Sequence, residues 1–181
     1  MSYCLLEISA EEMDGDIKGN YTVWVSGNLP KGSTAEGKWE WDETLTHDAA
    51  RTHIQSAADQ ISRHSFKAIN SIALDKGSSI AQYIYLDPKN APLGIMLKFF
   101  IAPDEEIIFY WEGYEEAFAE LDEYINAWYM GFMPDTGMWV KLIIDFKELD
   151  MPMAELLGME FILSDGRAWW GKTLILNPSV N

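Results

Sequence analysis

The 181-residue sequence predicts an all-β fold: an antiparallel β-sandwich of jelly-roll type, with one or two short helices in its loops. Three observations predict it. Runs of β-branched and aromatic residues of strand length recur along the chain. Within the best of them apolar and polar side chains alternate. Clusters of Gly, Pro, Asn and Asp separate the runs at short intervals, as in sandwiches and jelly rolls.

The elements follow in order. Tyr21 to Val25 is rich in strand formers, and Trp39-Glu40-Trp41 alternates aromatic with charged. Ile80 to Leu86 is a continuous run, closed by Asp87-Pro88-Lys89-Asn90-Ala91-Pro92, which cannot continue a ladder. Ile95 to Ile101 and Ile107 to Trp111 are split by Pro103-Asp104. From Met138 to Phe146 the alternation places Met138, Val140, Leu142, Ile144 and Phe146 on one face, with Trp139, Lys141, Ile143 and Asp145 on the other. Met159 to Ser164 and Arg167 to Ile175 flank Asp165-Gly166, a dipeptide suited to a two-residue hairpin turn. Further turn signals stand at Gly27-Asn28-Leu29-Pro30, Asp75-Lys76-Gly77 and Pro134-Asp135-Thr136-Gly137.

Two segments have helical spacing instead. Ile54, Ala57, Ala58 and Ile61 lie at i, i+3, i+4 and i+7, with Asp48 as an N-cap. Tyr114, Phe118, Leu121, Ile125 and Trp128 form a second set, opened by Glu115 and Glu116. With no internal repeat or linker, the expectation is one domain over 1–181 with its core from about 20 to 176.

Composition narrows the function. The formal charge is −16, from 29 Asp and Glu against 13 Lys and Arg. A nucleic-acid binder needs a basic footprint, and an anionic membrane surface would repel this chain. No window supplies the roughly 18–20 apolar residues of a membrane-spanning helix. The lone Cys4 cannot form an internal disulfide, and the start, Met1 to Glu7, lacks the basic and apolar regions of a secretory signal. That fits either a chain kept inside the cell or an excised extracellular module.

Local motifs yield little. Gly77-Ser78-Ser79-Ile80-Ala81 has Ala where a nucleophile elbow needs its last Gly, and it opens a strand. His47, His53 and His64 are spaced by six and eleven, which matches no zinc motif. Glu11 to Asp16 lacks the register of an EF-hand loop, and no phosphate-binding glycine motif occurs.

One segment stands out. Phe99 to Val140 contains no Lys, Arg or His, yet it holds ten acidic residues and twelve of the 24 aromatics. Exposed rings beside carboxylates suit sugar recognition: the C–H face of a pyranose stacks on the ring while carboxylates accept its hydroxyl hydrogens. The same oxygen density suits calcium, the one cofactor this composition suggests.

An ordered series of segments carries a resemblance. Val23-Trp24-Val25 leads to Leu29-Pro30, Gly32 and Trp39-Glu40-Trp41. His53, Ser56 and Arg63-His64-Ser65-Phe66 follow, then Tyr83-Ile84-Tyr85-Leu86-Asp87-Pro88 with Ala91-Pro92 and Ile95-Met96-Leu97. Tyr110-Trp111, Met130-Gly131-Phe132-Met133-Pro134, Gly137-Met138-Trp139-Val140, Gly158-Met159-Glu160-Phe161 and Asp165-Gly166-Arg167-Ala168-Trp169 complete it. Over residues 20–171 the chain resembles the carbohydrate-binding-module-like β-sandwiches of large bacterial secreted and surface proteins. The resemblance implies a non-catalytic accessory module. Together with the acidic, aromatic segment it nominates Trp111, Tyr114 and Trp128 as stacking residues and Glu112 and Asp135 as their polar partners. Trp39, Trp41 and Trp139 are assigned to the core. The expected partner is a saccharide. The alternatives are a partner protein or a second copy docking through Trp128-Tyr129-Met130, and a glycoside hydrolase using two carboxylates.

Overall fold

A computed structural model describes residues 20–58, 60–75, 77–102, 104–113, 117–118, 126–146 and 154–177. These form the strands Tyr21–Val25 (β1), Thr34–Gly37 (β2), Glu40–His47 (β3), Ala50–Ser56 (β4), Ile61–Leu74 (β5) and Ser79–Leu86 (β6). Gly94–Ile101 (β7), Glu105–Glu112 (β8), Ala127–Gly131 (β9), Trp139–Asp145 (β10), Ala154–Ser164 (β11) and Arg167–Leu176 (β12) follow. The first sheet runs β10-β6-β12-β4-β3, with β1 also against β12; the second runs β2-β5-β11-β7-β8-β9. The pairings are antiparallel except β8 with β9. This is the all-β sandwich that the strand runs predict.

The core lies between the sheets and is built by alternation. β6 sends Ile80, Ile84 and Leu86 inward, and β7 sends Ile95, Leu97, Phe99 and Ile101 to meet them. On β10 the predicted faces separate as expected, with Leu142 and Ile144 buried and Phe146 continuing the row. Several of the polar groups inside are paired with one another. The Trp170 indole N–H donates to Gln55 Oε1 at 3.0 Å, and Gln55 Nε2 donates to the Phe161 carbonyl at 3.2 Å. His53 and His64 face each other with ring nitrogens 2.9 Å apart, under the ring of Trp39. Trp39 and Trp41 pack on this core at its edge, as expected.

Three expectations change. The Asp48 region is a two-residue turn, not a helix start: Asp48 and Ala49 have φ of 49° and 58°, and β4 follows at once. The reason is period. His53 and Gln55 are buried on one side of β4 while Ile54 faces the other, so the 2-residue alternation outweighs the chance helical spacing of Ile54, Ala57, Ala58 and Ile61. The second helical set falls largely on residues outside those described; Ala117 and Phe118 lie in a turn and Trp128 in β9. No helix occurs among the described residues.

The third change is at Asp165-Gly166. Both residues have positive φ, 55° and 67°, as the dipeptide predicts, yet β11 and β12 do not pair. They enter opposite sheets, so the turn is a corner. It is locked to two other corners, Ala57–Gln60 and Asp87–Leu93. Ala57 N–H donates to the Gly166 carbonyl (2.9 Å), Asp165 N–H to that of Gln60 (3.1 Å) and Arg167 N–H to that of Asn90 (2.8 Å). A Cβ on Gly166 would sit 2.5 Å from Pro92 N, so the corner closes only around glycine. At the other end of β12, Asn177 N–H donates to the Asn20 carbonyl at 2.9 Å.

Candidate functional site

The outer face of the first sheet carries a row of rings. Cross-strand register sets Trp139 of β10 opposite Tyr85 of β6, and Tyr85 opposite Trp169 of β12. All three are half-buried. The Tyr85 ring meets Trp139 edge-on at 5.8 Å and Trp169 edge-on at 5.7 Å. Neighbouring strands lie about 4.8 Å apart, so the row spans roughly 10 Å across three strands. Cross-strand aromatic neighbours of this kind hold one another in orientation.

Polar rows flank it. On one side Arg167 lies opposite Ser56, donates to Ser56 Oγ at 3.2 Å and approaches Asp87 at 3.6 Å. On the other side Lys141 lies opposite Tyr83. The Trp169 indole N–H donates to Asp42 Oδ2 at 2.6 Å, while Asp42 Oδ1 accepts from the Thr44 N–H and hydroxyl at 2.7 and 2.6 Å. Desolvation raises the Asp42 pKa, but the hydrogen bonds from Thr44 and Trp169 outweigh it and hold the carboxyl below its usual range. The indole of Trp169 is therefore fixed by a charged acceptor.

The tip of the β3–β4 hairpin bounds the row. His47 stacks on Tyr83, with centroids 4.1 Å apart, and stands 4.8 Å from Trp139. Gly171 lies beneath them: a Cβ there would come within 3.1 Å of Trp139 and 3.2 Å of His47. Lys172 and Asp48 pair to hold the tip down. Burial, and then the Lys172 charge, push the His47 imidazole below its ordinary pKa, so it stacks as a neutral ring.

The residues nominated from sequence lie elsewhere. Trp111 is only 7% exposed and belongs to the core, so its ring is not displayed outward as the acidic context suggested. Trp128 packs on Phe109 at 5.6 Å and is half-buried. Glu112 Oε2 accepts the Ala117 N–H at 3.0 Å. Tyr114 is outside the described residues. Asp135 is exposed, one residue before Thr136, which bridges to Leu86 at the end of β6. Trp139 was assigned to the core and is instead on the outer face, because Leu142 and Ile144 set the inward side of β10. The signal for it was present in the alternation that grouped Trp139 with Lys141 and Asp145. Tyr85 and Trp169 carried no such signal. For calcium, no group of three or more His, Cys, Asp or Glu side chains converges among the described residues.

Several solved structures are similar to this chain. The CBM22-1–GH10 modules of endo-1,4-β-D-xylanase 10B from Clostridium thermocellum, solved with xylohexaose, are similar at TM-score 0.51 and 9% identity, over 83% of this chain and 27% of that one. The family 11 carbohydrate-binding module from Clostridium thermocellum, solved with a β-1,3-1,4-mixed-linked tetrasaccharide, is similar at TM-score 0.47 and 9% identity, over 94% of this chain and 95% of that one. The Endo-D glycoside hydrolase domain from Streptococcus pneumoniae R6 is similar at TM-score 0.46 and 12% identity, over 82% of this chain and 22% of that one. The chain thus spans about a quarter of the xylanase modules and less of the Endo-D domain. No protein-family model matches the sequence, and no curated protein matches it.

Proposed function

We propose that the chain is a non-catalytic carbohydrate-binding module that holds a glycan on the outer face of its first sheet. The observation that carries this reading is the Trp139–Tyr85–Trp169 row, half-exposed on the strands and flanked by polar side chains. Sugar C–H faces stack on such rings while flanking groups meet the hydroxyls. Asp135, at the Leu86 end of β6, extends the polar rim beyond Tyr85. The sandwich that supports the row is one that solved carbohydrate-binding modules also use.

Affinity electrophoresis against a polysaccharide panel tests it. Each stacking contact contributes on the order of 1 kcal/mol beyond its buried area. Trp139→Ala and Trp169→Ala are therefore each expected to weaken retention by about tenfold or more, at a cost in stability of about 1 kcal/mol that leaves the protein folded. Retention by no polysaccharide, or retention that both variants keep in full, removes the reading.

A specific observation favours a second reading, a protein partner or second copy at β9. Tyr129 and Phe132 are exposed apolar side chains in and just after this edge strand. A dimer by light scattering that Phe132→Ser dissolves would support it.

A further inference from the structure

We propose that the site takes an acidic glycan, one whose rings carry a carboxylate or a sulfate ester, and that Lys141 reads the anionic group. This rests on the outer-face reading given above. Asp135 stands exposed at the rim, but the carboxylates on the strands and turns beside the aromatic row are already engaged. Asp42 is held by Trp169 and Thr44, Asp48 by Lys172, and Asp87 by Arg167 and the Lys89 N–H. Glu40, at the far end of the same transverse register, pairs with Lys38 at 2.7 Å. These acids orient the rings and the hairpin tip, so their lone pairs are poorly placed to take sugar hydroxyls.

Lys141 differs. It is half-buried, opposite Tyr83 and two residues from Trp139 on the same side of β10. Among the described residues no carboxylate lies within ion-pair distance of it, in a chain where acids outnumber bases by 29 to 13. Lys98, more deeply buried on the outward side of β7 in the other sheet, has two: Glu106 at 3.0 Å and Glu160 at 3.5 Å. The charged group left open on the strands beside the rings is thus a cation, an ammonium with three donors and no acceptor. It suits an anion better than a hydroxyl. The overall charge of −16 does not forbid this. At physiological salt, charges beyond about 8 Å are largely screened, so a ligand on the row senses Lys141 rather than the distant acids.

The test pairs polymers that differ only in charge: polygalacturonate, alginate and glucuronoxylan against their carboxyl-reduced forms, and a sulfated galactan against its desulfated form. The full chain is expected to retain at least one acidic polymer and to lose about tenfold on its neutralised partner. Lys141→Gln should lose a similar factor on the acidic polymer and much less on the neutral one, with Lys141→Arg restoring binding. The carboxylate and sulfate arms distinguish the two anions. Tighter binding of a neutral polymer, or an acidic polymer bound equally by Lys141→Gln, overturns the acidic-glycan inference and leaves the outer-face reading standing. Binding of no polymer removes both.

Discussion

The two outer faces of this sandwich are treated in opposite ways. On the second sheet, Met96, Ile108 and Ile162 point outward and are covered by the chain itself, through Phe118. Gly94 makes the room, since a Cβ there would lie 2.6 Å from both Ala117 and Phe118. Lys98 is tied into the same face by Glu106 and Glu160. On the first sheet no described segment covers the outward rings of Tyr85, Trp139 and Trp169 in this way, and the neighbouring hairpin tip packs on Tyr83 and beside Trp139. Apolar surface left open beside oriented polar groups is what a ligand site needs, whereas the covered face contributes stability.

Paired truncations sharpen the contrast most. Phe118→Ala removes a buried ring and is expected to cost about 3 kcal/mol in urea unfolding, with glycan retention unchanged once the protein is folded. Trp169→Ala should lose retention at a cost in stability of only about 1 kcal/mol. If both variants lose stability alike and neither loses binding, the two faces are not functionally distinct.

The interior between the faces sets the next largest effect. Burial pushes the His64 imidazole down to about 3, and burial plus the neighbouring His64 push His53 well below its ordinary value. Unfolded histidines take up a proton near pH 6.5, so below that pH the unfolded chain binds more protons than the folded one. Stability is therefore full above about 6.5 and falls by about 1.4 kcal/mol per pH unit for His64 alone as the pH drops towards 3. Urea midpoints between pH 6.5 and 5, above most carboxylate titration, read this directly. His64→Gln should flatten the slope, and a slope unchanged by that variant would refute the assignment.

A smaller effect belongs to Asp42. Asp42→Asn keeps the shape and removes the charge that fixes the Trp169 indole, at an expected cost of about 1 kcal/mol in stability. If Trp169 must be held in place to bind, retention falls several-fold; if retention is untouched, the ring works without its anchor.

Much of the fold was legible because β10, β6 and β7 state their faces by alternation or by continuous apolar runs. Two features were not. Asp165-Gly166 reports the signs of φ, which a hairpin and a corner share; the choice depends on β5 and β7 claiming the edges of β11, and that pairing is long-range. Ile54, Ala57, Ala58 and Ile61 match a helix only if the inward His53 and Gln55 are ignored. For the site, richness in acids and rings along the sequence pointed to Trp111, which sits in the core. The Trp139–Tyr85–Trp169 row draws on three strands, and no window of sequence contains it.

The hydrogen bond from Asn177 to Asn20 brings the two ends of the described chain together. Chain entering at residue 20 and chain leaving at residue 177 share one exit, at the opposite end of β12 from the locked corners. Trp169 lies seven residues before Leu176 along that strand, roughly 20 Å away at about 3.3 Å per residue. The ring-bearing end therefore stands a strand's length from the place where residues 20 and 177 meet.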